Sequence, residues 1–136
     1  PRFSELSERE KAVVSARILG EVRGRMMEDI VLLETMKAAG QQQYVFQLQF
    51  MDGEFDMVIY DADRNCCRIY EIKHSEQQVP AQYRHLLDAE KCRQAERRFG
   101  PIVGRTVLYR GADADAGNGI VFKNVETYLN RLSPDR

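Results

Sequence analysis

Two carboxylates and an ammonium, Asp56, Glu71 and Lys73, are the residues of this 136-residue chain whose types and spacing suit chemistry best. Asp56 lies in Glu-Phe-Asp-Met-Val-Ile-Tyr-Asp, and the other two lie in Cys-Cys-Arg-Ile-Tyr-Glu-Ile-Lys-His; Ala-Asp-Arg-Asn joins the runs. Each run alternates with period two and is rich in β-branched and aromatic residues, so the pair is expected to form a β-hairpin. Alternation puts Glu54, Asp56, Val58 and Tyr60 on one face of the first strand and Ile69, Glu71 and Lys73 on one face of the second. If Asp61 and Cys66 close the loop, Asp56 faces Glu71 at a side-chain separation of roughly 4.5–5.5 Å, and Glu54 faces Lys73. Facing like charges destabilise a hairpin, more so between aliphatic neighbours such as Val58 and Ile69. A hard divalent cation relieves that cost, and a lysine beside it suits a reaction at phosphate. An E-x-K triplet alone is common on solvated strands. The facing aspartate is what gives this one chemical meaning.

The elements that must position these groups follow from the flanking sequence. Ser7 with Glu10 forms a capping box that opens a helix through Leu19, which Gly20 and Gly24 interrupt. A second helix is expected from Glu21 to about Ala39, apolar nearly all round between Met26 and Leu33 and therefore buried. Within it lie Glu28 and Asp29. Because carboxylates are seldom buried alone, at least one of them should face a cation or a shared polar site. Tyr44–Phe50 alternates as a strand with Phe46, Leu48 and Phe50 on one face, and Met51-Asp52-Gly53 turns the chain into the hairpin. Pro80 is placed to open a helix lasting to about Phe99, with an apolar stripe of Leu86, Ala89, Cys92, Ala95 and Phe99. Arg84, Lys91, Arg93, Arg97 and Arg98 occupy the rest of that helix. Its first turn follows the Lys73 strand, so free N–H groups and Gln82 there could meet a phosphate. A strand at Thr106–Tyr109, a flexible loop at Gly111–Gly119, a short strand at Ile120–Phe122 and a helix at Val125–Leu132, capped by Asn124, complete the order. These elements describe a three-layer α/β domain.

Composition bounds the reading. Hydrophobic residues make up 43% and charged ones 30%, as in ordinary globular domains, and the length suits one domain. The longest apolar run, Ile30 to Leu33, cannot span a bilayer, and the charged start is no signal peptide, so the expected location is the cytoplasm with no membrane partner. Starting at Pro1 without Met, the chain reads as a fragment. Three cysteines, two of them the adjacent Cys66 and Cys67, fit packing in a reducing compartment rather than a disulfide or zinc site. His74 and His85 read as structural or substrate-facing residues, because no second Cys/His pair completes a tetrahedral set. The net charge of −1 argues against tight autonomous DNA binding. It leaves room for a nuclease whose acidic site is neutralised by metal.

Asp56 followed by Glu71-Ile72-Lys73 resembles the D…(D/E)-x-K signature of the PD-(D/E)XK phosphodiesterase superfamily, with Phe55 where that family's nominal proline would stand. The runs Gly24–Val31, Gly53–Asp56 and Tyr70–His74 resemble a domain of unknown function at the C-terminal end of bacterial and archaeal AAA-type ATPases. The resemblance covers about Gly20 to Leu132 and implies a restriction-endonuclease-like core: helix, three-strand meander, helix, strand, short strand, helix. It implies Mg²⁺ or Mn²⁺ held by Asp56, Glu71, the Ile72 carbonyl and Glu28, with Lys73 orienting or deprotonating water. Gln82 and Arg84 would position substrate. The implied partners are nucleic acid, DNA before RNA, and the ATPase part of the same polypeptide, with a homo-oligomer left open. The alternative is a non-catalytic nucleic-acid-docking or protein-interaction module that keeps the nuclease fold and binds through its arginine-rich helix.

Overall fold

The computed structural model describes residues 25–132. The helix expected from Ser7 to Leu19, with its glycine interruption, lies outside the described residues. Helix α1 (Arg25–Ala38) leads into strands β1 (Gln43–Phe50), β2 (Gly53–Asp61) and β3 (Cys66–Ile72). A 3₁₀ segment (Pro80–Leu87) and helix α2 (Ala89–Phe99) cross to β4 (Ile102–Tyr109), followed by β5 (Ala114–Asp115), β6 (Ile120–Asn124) and helix α3 (Val125–Leu132). The six strands form one mixed sheet in the order β1-β2-β3-β4-β6-β5. β1, β2 and β3 are a meander, and β3, β4 and β6 run parallel.

Alternating side chains bury both faces. Ile69 and Val107 join Leu86, Cys92 and Ala95 beneath the 3₁₀ segment and α2, while Tyr70, Ile72 and Leu108 join Met27, Val31 and Val125 beneath α1 and α3. Phe46, Leu48 and Phe50 share the first of these faces, as their spacing requires. Free Cys67 and Cys92 pack within that same core. No described helix is long and apolar enough to cross a membrane.

Five local features differ from expectation. Helix α1 is amphipathic rather than buried all round: Met27 and Val31 are covered, whereas Met26 and Leu33 are more than half exposed. The expected helix from Pro80 to Phe99 breaks at Asp88, whose extended backbone and carboxylate cap α2 by accepting the Lys91 N–H. The fourth strand begins earlier, at Ile102, and the 111–119 loop contains β5. The largest departure is in β2. From Gln43↔Asp61 to Phe46↔Val58 the β1 ladder is regular, but Leu48 then faces Phe55, so Asp56 and Met57 together oppose Gln47. This is a β-bulge. One extra residue turns everything beyond it to the other face, which is why Phe55 packs with Val58 and why Glu54 does not share the Val58 face as alternation implied.

Candidate active site

The hairpin register is the expected one. Asp61↔Cys66 closes the loop and the β2–β3 ladder continues to Met57↔Tyr70, which brings Asp56 and Glu71 together at its end. There the main-chain pairing stops and a side chain takes over: Asp56 Oδ2 accepts the Ile72 N–H at 2.8 Å. Ile72 thus meets Asp56 through its amide N–H, a contact that the sequence did not announce.

Burial makes this junction costly. Asp56 is 4% and Glu71 1% exposed, and Glu71 Oε1 has no hydrogen-bond partner among the described residues. Burial above all, then the hydrogen bond to Asp56 and its charge, push the Glu71 carboxyl up to about 10, against a smaller opposing pull from Lys73. Lys73 Nζ lies 3.7 Å from Glu71 Oε2 and is 39% exposed, so it spans buried acid and solvent.

Glu28, from α1, is where the sequence placed it, and Asp29 is exposed. Oxygens of Glu28, Glu54 and Asp56 lie within 4.8 Å of one another, the one such acidic group among the described residues. Glu54 was expected on the Asp56 face, opposite Lys73. It accepts a 2.8 Å bond from Gln47 Nε2 and joins the acids. Its spacing from Asp56 was a usable signal, but which way it turns depends on the bulge. Hard divalent cations favour such oxygen sets, and a buried carboxylate oxygen without a donor is a position that a cation would satisfy.

The residues expected to position substrate are less converged. Gln82 Oε1 accepts the Val79 N–H at 2.9 Å and so closes its own turn, and Arg84 is exposed. His85 packs on Gly53, where an added Cβ would lie 2.7 Å from its Cε1. Burial and the nearby positive charges of Lys91, Arg84 and Lys73 lower its pKa. Lys91, expected on the solvated face, is buried against Asp88 and over the Phe50 ring. No family model, curated protein or solved structure matches this chain.

Proposed function

We propose that this domain is a divalent-metal-dependent phosphodiesterase acting on nucleic acid, of the PD-(D/E)XK kind and with a restriction-endonuclease-like layout. The observation that carries the reading is the buried Asp56–Glu71 junction, with a partnerless Glu71 oxygen, beside the Glu28–Glu54–Asp56 group. A helix bearing Glu28, an antiparallel meander bearing Asp56 and Glu71, and a crossover to a parallel strand support the same layout.

Asp56, Glu28 and Glu54 would hold Mg²⁺ or Mn²⁺, with Glu71 giving up its proton to join them. Bound there, the cation supplies Lewis-acid polarisation of the phosphate and lowers the pKa of water. Lys73, held by Glu71 but open to solvent, would orient an attacking water and stabilise charge developing on the phosphate. Gln82 retains its amide NH₂, and Arg84 its exposed guanidinium, to position the strand. DNA is the proposed substrate, and an ATPase on the same polypeptide the proposed partner. The docking-module alternative has less support, because Arg93 and Arg97 of the arginine-rich helix both engage Glu90.

Incubating the chain with end-labelled single- and double-stranded DNA and RNA in Mg²⁺ or Mn²⁺ tests the reading. Cleavage should require metal and disappear in Asp56→Ala, Glu71→Ala and Lys73→Ala variants that keep the parent circular dichroism. Cleavage that survives all three changes would overturn the assignment.

A further inference from the structure

Beyond Lys73 the chain does not leave the sheet at once. Lys73 N–H donates to Leu108 O at 2.9 Å, and Arg110 N–H donates to Ser75 O at 2.7 Å, so residues 73–75 continue alongside the end of β4. The segment is pinned further on. Gln78 Nε2 donates to Tyr109 Oη, and Gly111 packs so closely on the Glu76 carbonyl that a Cβ there would come within 2.6 Å of it. Between these strand ends lies a cavity of about 320 Å³ lined by His74, Ser75, Glu76, Gln77 and Arg110. Its wall begins one peptide after Lys73.

The chemistry of this cavity is that of an anion site. The Arg110 guanidinium is a planar fork of five donors, and its recorded contacts are long: Nη1 to His74 Nε2 at 3.5 Å and Nη2 to Glu126 at 4.0 Å. A phosphate oxygen accepts charge-assisted bonds of about 2.7–2.9 Å from such a fork, so it would displace both contacts readily. The main chain around Arg110 is fixed on both sides, since Asn124 Nδ2 donates to the carbonyls of Arg110 and Gly111. The strand end that carries the donor is therefore fixed. Glu76 is exposed in the same lining, so its charge opposes a bound anion and the Arg110 fork must outweigh it.

We infer that the His74–Arg110 cavity holds a backbone phosphate of the nucleic-acid strand next to the one presented to Lys73, so that the substrate is a strand bound at two or more phosphates. This rests on the phosphodiesterase reading. The experiment measures binding of a labelled 12-nucleotide DNA strand in Ca²⁺ across a salt series, and KM and kcat for its cleavage in Mg²⁺, with the full chain. For Arg110→Gln the expected results are dissociation constant and KM raised about tenfold and a log–log salt slope shallower by about 0.7, one phosphate contact. The loss should fall on KM, as for an interaction made equally in ground and transition states. Glu126→Gln, which frees Arg110, should tighten binding, and Arg64→Ala, removing an exposed charge at the other end of the hairpin, should change nothing. Inorganic phosphate should displace the strand only weakly. An unchanged slope and affinity in Arg110→Gln, in a chain that still cleaves, sinks the inference and spares the phosphodiesterase reading; loss of cleavage-competence in the parent sinks both. If Arg110→Gln misfolds, unchanged binding by Glu126→Gln overturns the inference. Binding of inorganic phosphate as tight as the strand would make the cavity a free-phosphate site and overturn the strand assignment.

Discussion

The two ends of the β2–β3 hairpin carry similar residues and do opposite things with them. At the loop end, Asp61 pairs regularly with Cys66, its carboxylate accepts the Arg64 N–H at 3.1 Å, and Asp63 and Arg64 are exposed. Charge there is hydrated or satisfied locally. At the far end the ladder stops, two carboxylates are buried against each other, and one oxygen lacks a donor. The loop end also borders the larger cavity, about 550 Å³, against Arg64, Cys66 and Arg68. Burial without satisfaction, rather than cavity size or charge count, is what separates a site from a surface.

The largest expected difference between the ends is catalytic. Lys73→Ala should lower single-turnover cleavage by about 10²–10⁴, while Asp61→Asn leaves it unaltered. Glu54→Gln, at a proposed ligand beside Asp56, should cost at least about 10–100-fold, the loss seen even for groups that only support metal ligands. Equal losses at Asp61 and Lys73 would erase the distinction.

Next in size is the response to metal. A cation that binds only the folded state stabilises it by about 2.7 kcal/mol at a hundredfold excess over its dissociation constant. Thermal melts should show Mn²⁺ raising the Tm of the parent but not of Asp56→Asn. Removing Mn²⁺ with a chelator should restore the lower value.

The pH dependence of stability sharpens the comparison. In the folded metal-free protein Glu71 keeps its proton up to about pH 10, whereas the unfolded chain releases it near the ordinary carboxylate value of 4.5. The folded state then binds more protons than the unfolded one across that window, so stability falls as pH rises through it. Denaturant titrations should find that Glu71→Gln flattens this decline. Its stabilising effect should be small near pH 4 and largest above pH 9. A decline that is unchanged in Glu71→Gln would place the pH-sensitive group elsewhere.

Smaller still is a backbone effect at the strand entry. Gly53 has φ of +100°, and a Cβ there would press on His85. Gly53→Ala should cost more than about 1 kcal/mol, measured by chemical denaturation. Asp61→Asn should stay within about 0.5 kcal/mol.

The sequence carried the register of the hairpin because its loop is short and its strands have two distinct faces, which leaves one pairing open. That placed Asp56 beside Glu71. It did not carry the bulge, since an extra residue opposite Gln47 is selected by how Phe55 packs against Leu48 and Phe50, a tertiary matter. Glu54 was therefore placed on the Val58 face, from which the bulge turns it away. The break at Asp88 was legible as an N-cap, but the apolar spacing from Leu86 through Cys92 hid it. Arg110 and His74 are far apart in the chain. Only parallel pairing of β3 with β4 joins them, and no local pattern encodes that.

Calorimetric titration of the chain with Mn²⁺ near pH 8, in two buffers of different ionisation enthalpy, tests the central claim most directly. The parent should bind with a measurable heat and release close to one proton per cation, the proton held by Glu71. Asp56→Asn should abolish the heat, and Glu71→Gln should abolish the proton release. No heat in the parent, or the same heat in Asp56→Asn, would mean that the buried carboxylates are structural and that no metal centre exists at the end of this hairpin.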